Sequence, residues 1–257
     1  MTSTRPGTVW QAPPESLVLD PGEVHVWRIA LDVPVRYVQA LSPLLSPDET
    51  TRAERFLLEV VRSRFIVAHG ATRRILSRYL HTEPEAIRFT TSARGKPAVV
   101  ATDGAPPVRF SLSHSEDLAL CAVARDRELG VDIERLRPVA TWRQIADRTF
   151  AQDEIQALRA VDEEHAEEAF LRCWTRKEAY SKALGEGITS RWTQFTVSLE
   201  PDVVTMVRDD APAAQAQGPY ALVPLAPGPG YVGALAVGAP LVGALRISLW
   251  CWPSSHP

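Results

Sequence analysis

The sequence predicts an α+β protein of two lobes, each built of helices followed by antiparallel strands. Three observations carry this. Apolar residues alternate with polar ones at residues 24–33 and in several later runs, the period of a strand with one buried face. Two long segments, near 46–80 and 163–184, instead carry apolar residues at helical spacing. The order helices-then-strands occurs once before Pro138 and again after it, although no residue-level repeat accompanies it. The expected division is an extended arm at 1–22, a first lobe at 23–130 and a second at 131–257.

Each element follows from its local pattern. Residues 1–22 are rich in Pro, Ser and Thr, which favours an arm. Val24, Val26, Ile29 and Leu31 mark the first strand. Ser46-Pro-Asp-Glu-Thr opens a helix with Ser46 or Asp48 as N-cap and Pro47 at its first position, and helical spacing carries it to about Leu80. Strands are predicted at 108–112 and 118–124, around the polar Ser113-His-Ser-Glu-Asp, and at 129–133. After Pro138 come helices near 141–148, 152–160 and 163–184, then strands near 195–199, 203–207 and 220–225. Residues 209–219 and Pro227-Gly-Pro-Gly230 read as exposed loops. The apolar run 231–250 is long enough to span a bilayer. Pro240, three glycines and Arg246 within it favour two buried strands, 232–237 and 241–249, joined by a Gly-Ala-Pro turn.

Composition narrows the function classes. With 45% hydrophobic and 23% charged residues, the 257-residue chain resembles soluble globular proteins, which excludes disorder and fibrous repeats. A net charge of −3 argues against nucleic-acid binding by bulk charge. Cys121, Cys173 and Cys251 are too few and too far apart for a disulfide framework or a zinc site. No secretory signal opens the chain. A protein of the reducing cytoplasm, free of the membrane, is the expectation.

Four segments carry chemistry. In Gly130-Val-Asp-Ile-Glu134, Asp132 and Glu134 are two apart and share one face of a strand, with Val131 and Ile133 on the other. Paired carboxylates there suit either Mg²⁺ beside a phosphate or a solvated strand end near Arg135 and Arg137. On the helix ending at Leu184, residues four apart stay within ~40° of each other. Trp174, Glu178 and Lys182 thus form one stripe, which reads as a site or as a surface Glu–Lys pair. Ser113 and His114 point to opposite faces of a strand, so they are no nucleophile–base pair, and no Gly-x-Ser-x-Gly elbow is present. At a strand end they are also candidate phosphate ligands. Ala93-Arg-Gly-Lys-Pro97 is a turn presenting Arg94 and Lys96 to solvent or to a nucleotide.

Gly95-Lys-Pro97, Ser113-His114, Gly130-Val-Asp-Ile-Glu134 and Trp174-Thr-Arg-Lys-Glu-Ala-Tyr-Ser-Lys182, in this order, resemble the 4′-phosphopantetheinyl transferases of the larger, Sfp type. The last two motifs, roughly forty residues apart, are the most specific, and the resemblance spans about 45–200. It implies two pseudo-symmetric α+β lobes with coenzyme A held between them. It also implies transfer of the phosphopantetheine arm to a serine of an acyl or peptidyl carrier protein, releasing adenosine 3′,5′-bisphosphate. By the same resemblance, Asp132, Glu134 and Glu178 hold Mg²⁺. Glu178 also takes the serine proton, and Lys182, assisted by Lys177, serves the leaving group. Ser113 and His114 bind the phosphates of coenzyme A, while Gly95, Lys96 and Pro97 line the adenine pocket.

Arg52 and Arg64 fall near the basic residues that grip the 3′-phosphate in related enzymes. Glu49 and Phe65, however, stand where well-known members have Lys and Thr. The basic stretch 135–148, with Arg135, Arg137, Arg143 and Arg148, is the expected docking face for an acidic carrier. Its apolar residues Trp142, Ile145 and Phe150 are docking contacts or core. The expected state is a monomer. The competing readings are a non-catalytic coenzyme A or carrier-binding module, which needs neither metal nor leaving-group lysine, and a hydrolase built on Ser113 and His114.

Overall fold

The computed structural model describes residues 9–92, 95–100, 107–125, 127–186, 190–209, 211, 218–238 and 245–253. Strand β1 (Glu23–Ala30) leads into helices α1 (Val35–Leu41), α2 (Pro47–Glu54) and α3 (Glu59–Leu80). The hairpin β2 (Phe89–Thr91) and β3 (Pro97–Val99) follows, then β4 (Val108–Ser115), β5 (Leu118–Arg125) and β6 (Leu129–Arg135). Helices α4 (Trp142–Thr149), α5 (Gln152–Arg159) and α6 (Glu163–Leu184) precede the short β7 (Phe195–Thr196), β8 (Thr205–Met206) and β9 (Arg208–Asp209). The described chain closes with β10 (Tyr220–Leu225), β11 (Tyr231–Gly238) and β12 (Arg246–Cys251).

One sheet has the order β12-β1-β5-β4 and the other β6-β11-β10-β8. Their pairings are antiparallel except that β12 lies parallel to β1, with Val26 opposite Leu249. α3 covers the first sheet over a core containing Trp27, Ile29, Ile75 and Leu76. The last helices cover the second, over a core containing Phe150, Phe170, Tyr180 and Trp192. A third cluster joins the two sheets: Val24, Val26, Leu120 and Ala122 of the first pack with Val131, Ile133, Val223 and Leu235 of the second. The expected α+β class is therefore observed, and the lobes share a buried seam.

Two expectations about elements change. The helix predicted across 46–80 is two helices. Ser46 caps α2 in a capping box, its hydroxyl accepting from the Glu49 N–H while Glu49 Oε2 accepts from the Ser46 N–H. The chain then turns at Leu58, which has extended backbone. That turn lets Glu49 reach His69 at 3.1 Å and Arg73 at 2.8 Å. On a straight helix residues twenty apart would lie ~30 Å apart. Second, the strands predicted at 232–237 and 241–249 do not form a hairpin. β11 stays in the second sheet, and β12 returns to the first, where an isolated bridge also ties Gln11 of the arm to Trp250. The expected lobe boundary at 130/131 falls inside β6, and the chain crosses back after β11. Ala239 and Pro240 of the Gly-Ala-Pro turn, Arg94 and most of the loop at 209–219 lie outside the described residues. Among the described residues no helix is long and apolar enough to cross a membrane.

Candidate active site

β4 and β6 are edge strands of different sheets, and serine side chains join them. Ser111, Ser113 and Ser115 lie two apart on one face of β4. Ser111 Oγ accepts from the Val131 N–H at 3.1 Å. Ser113 Oγ donates to Asp132 Oδ1 at 2.7 Å. Ser115 Oγ donates to Glu134 Oε2 at 2.9 Å and accepts from the Arg135 N–H at 3.1 Å. Asp132 and Glu134 thus share a face, as their spacing predicts, while Val131 and Ile133 enter the seam.

α6 lies against this face because Gly130 permits it. A Cβ at Gly130 would stand 2.1 Å from the Ala179 carbonyl oxygen and 2.5 Å from Ala183 N. The close approach brings the Glu178–Lys182 stripe onto the carboxylates. Lys182 Nζ donates to Asp132 Oδ1 at 2.7 Å and to Ser113 Oγ at 2.8 Å. Burial, and next the Asp132 charge, push the Glu178 carboxyl up to about 7, against the pull of Lys182. Burial raises Glu134 as well, and Asp132 adds to it, against the Ser115 hydrogen bond. Trp174, the third member of the stripe, packs edge-on against Trp192 with ring centres 5.0 Å apart.

Among the described residues, no group of three or more His, Cys, Asp or Glu side chains is gathered to hold a metal ion as it stands. Lys182 supplies the counter-charge to Asp132 instead. The donor set nevertheless fits a hard divalent cation. Asp132 Oδ2 is buried without a hydrogen-bond partner, and Glu134 and Glu178 are neighbouring carboxylates that resist ionisation.

Beside Lys182 opens a cleft of about 330 Å³. Its walls include Arg52, Gly95, Lys96, Pro97, His114 and Lys182, so segments far apart in sequence meet at one place. His114 opens onto it, and partial desolvation of its ring by the surrounding walls, followed by the charges of His69, Lys182 and Arg52, holds its pKa below the usual histidine value. A concave wall with this many basic groups suits an anionic ligand carrying several phosphates.

A family model described as the 4′-phosphopantetheinyl transferase superfamily matches residues 128–232. Another, described as 4′-phosphopantetheinyl transferase, N-terminal, matches residues 34–126. The chain is 39% identical over 228 residues to the 4′-phosphopantetheinyl transferase HetI of Nostoc sp., covering 89% of this chain and 93% of that protein. The chain belongs to the 4′-phosphopantetheinyl transferase superfamily. It is 34% identical to the transferase psf-1 of Bacillus pumilus, over 65% of this chain and 69% of that protein. Identity to Sfp of Bacillus subtilis is 28%, over 70% of this chain and 78% of that protein. The two family matches meet at β5–β6, where the sheets adjoin.

Within this phosphopantetheinyl transferase, three expected site residues stand elsewhere. Lys177 is fully buried in the second-lobe core. Its Nζ pairs with Glu154 at 2.8 Å and donates to the carbonyls of Trp192 and Phe195 at 2.6 and 2.8 Å. One residue along a helix is a ~100° rotation, so Lys177 faces away from the side that carries Glu178. Arg64 is committed to Asp32 through Nε at 2.7 Å and to Glu116 at 3.2 Å, and the cleft wall is formed by others. Ser113 addresses Asp132 and Lys182 rather than the cleft. Lys96 is held by Glu128 at 2.5 Å and the Ala183 carbonyl at 2.7 Å, so it latches the β2–β3 hairpin onto the second lobe.

The sequence reading missed His69. It lines the cleft, stacks on Phe65 with ring centres 4.0 Å apart, and is held through Nδ1 by Glu49. The unusual Glu49 was the available signal. An acid at that position implies basic partners on the next helix, and His69 and Arg73 are those partners.

Proposed function

We propose that coenzyme A binds in the cleft between the lobes and that Asp132, Glu134 and Glu178 hold Mg²⁺ against its pyrophosphate. The observation that carries this reading is the meeting of Lys182, Asp132 and Ser113 beside a cleft walled by Arg52, His69 and His114. When bound, the cation neutralises negative charge on the pyrophosphate.

Glu178, with its raised pKa, accepts the proton of the carrier serine hydroxyl. The serine oxygen then forms a bond to the phosphorus bearing the pantetheine arm. The bond from that phosphorus to the bridging oxygen breaks, and adenosine 3′,5′-bisphosphate leaves. Lys182 stands by the leaving phosphate and stabilises or protonates it. Arg52, His69 and His114 bind the phosphates, and Gly95, Lys96 and Pro97 frame the adenine end. The carrier docks on the basic stretch of Arg135, Arg137, Arg143 and Arg148, in which Arg135 also pairs with Asp117 at 3.7 Å and Arg143 with Glu163. Trp142 and Phe150 of that segment are buried core, and Arg143 lies over the Trp142 ring at 4.3 Å. The protein works in the cytoplasm as a monomer.

Calorimetry of coenzyme A binding with and without Mg²⁺ tests the site. Binding strengthened by Mg²⁺ in the wild type, and no longer strengthened in Glu178→Gln, is expected. Binding indifferent to Mg²⁺ in both would refute the assignment of the three carboxylates.

A further inference from the structure

The serine stripe of β4 has a role that coenzyme A binding does not explain. No backbone pairing joins β4 to β6 among the described residues, so the hydroxyls themselves connect the two edges. Two of the three are set differently from the first. Ser115 Oγ receives the Arg135 N–H at 3.1 Å, so its own proton is directed to Glu134 Oε2 at 2.9 Å. Ser113 Oγ receives a proton from Lys182 Nζ at 2.8 Å, so its own is directed to Asp132 Oδ1 at 2.7 Å. An outside donor thus fixes each hydroxyl as a donor to one carboxylate. Each bond takes one carboxylate oxygen and leaves the other unused by the hydroxyl, and for Asp132 that other oxygen, Oδ2, is buried without a partner. Ser111 makes the same inter-strand stitch, but its hydroxyl bonds the Val131 backbone rather than a carboxylate, and the residue also lines the cleft.

We propose that Ser113 and Ser115 are positioning residues that set Asp132 and Glu134 in the orientation a divalent cation needs. The inference rests on the assignment of those carboxylates to Mg²⁺. Groups hydrogen-bonded behind metal ligands typically contribute 10–100-fold to metal affinity, because they hold the ligand oxygen in place before the ion arrives.

The test is Mn²⁺ binding to the full chain in the presence of coenzyme A, followed by the EPR signal of free Mn²⁺, with melting temperature read alongside. Ser115→Ala should weaken Mn²⁺ about tenfold or more. Ser115→Thr, which keeps the hydroxyl, should restore wild-type affinity. Ser111→Ala, which loses a stitch of the same kind without a carboxylate, should bind Mn²⁺ as the wild type does with coenzyme A saturating for both, because Ser111 also lines the cleft. Wild-type affinity in Ser115→Ala overturns the proposal, as does equal weakening in Ser111→Ala. If Ser115→Ala does not fold, Ser115→Cys is read by the same criteria. A wild type that binds no Mn²⁺ overturns the Mg²⁺ assignment itself, and this inference with it.

Discussion

Lys182 Nζ lies 2.7 Å from Asp132 Oδ1 and 2.8 Å from Ser113 Oγ, so one ammonium ties α6 to both sheets at the point where they meet. Asp132 belongs to the second sheet and Ser113 to the first. The contact therefore depends on the seam between the lobes, and the seam fixes the geometry of the site.

Replacing Lys182 by Met removes a charge held beside the proposed leaving phosphate. The expected effect is a fall in kcat of roughly 10²–10³, the usual cost of losing one positioned electrostatic group. Steady-state kinetics with a saturating carrier measure it. A kcat near that of the wild type would show that Lys182 has no part in the chemical step.

The raised pKa of Glu178 carries a stability signature. Its folded value of about 7 lies above the ordinary 4.5. The contribution of its proton is therefore complete below pH 4.5 and is lost as pH rises through about 7. In EDTA, wild-type stability should fall relative to that of Glu178→Gln between about pH 5 and pH 8, by ~1–2 kcal/mol after allowance for solvent screening. Urea denaturation of both proteins across that range is the measurement, and a difference that does not vary with pH would contradict it.

Lys177 should behave as a core residue. Lys177→Met leaves Glu154, which is 1% exposed, without its counter-ion, and removing one partner of such a pair costs about 3–5 kcal/mol. Pairing it with Glu154→Gln, which removes the buried charge but keeps a carbonyl for one of the two backbone N–H groups, Ala151 and Val197, that Glu154 accepts at 2.8 Å, should recover part of that loss. Denaturant midpoints measure both effects. A Lys177→Met protein of normal stability but collapsed kcat would return Lys177 to the active site.

Gly130→Ala places a methyl group against the backbone of α6. Overpacking of this kind costs ~1–3 kcal/mol, and here it also pushes Asp132 away from Lys182. Both the melting temperature and kcat should drop together, whereas loss of stability with full activity would show that the spacing of β6 and α6 is not critical.

What the sequence disclosed depended on the range of the interaction. Local rules narrowed the cap to Ser46 or Asp48 and gave the shared face of Asp132 and Glu134 and the Glu178–Lys182 stripe, because each is set within a few residues. Helical periodicity could not reveal the turn at Leu58, since both halves keep helical spacing. The return of β12 to β1 depends on pairing across more than two hundred residues, which leaves no local trace. Lys177 looked functional because it sits inside the motif, and only the position of Glu154 shows which way it faces. The partners of Arg64, Asp32 and Glu116, are likewise distant in sequence and leave no local trace.

The most direct test of the central claim is the intact mass of an apo carrier protein incubated with coenzyme A, Mg²⁺ and either the wild type or Glu178→Gln. The wild type should add the phosphopantetheine mass to the carrier, and Glu178→Gln, folded and able to bind coenzyme A, should add it far more slowly. Equal rates of modification by the two proteins would contradict the claim.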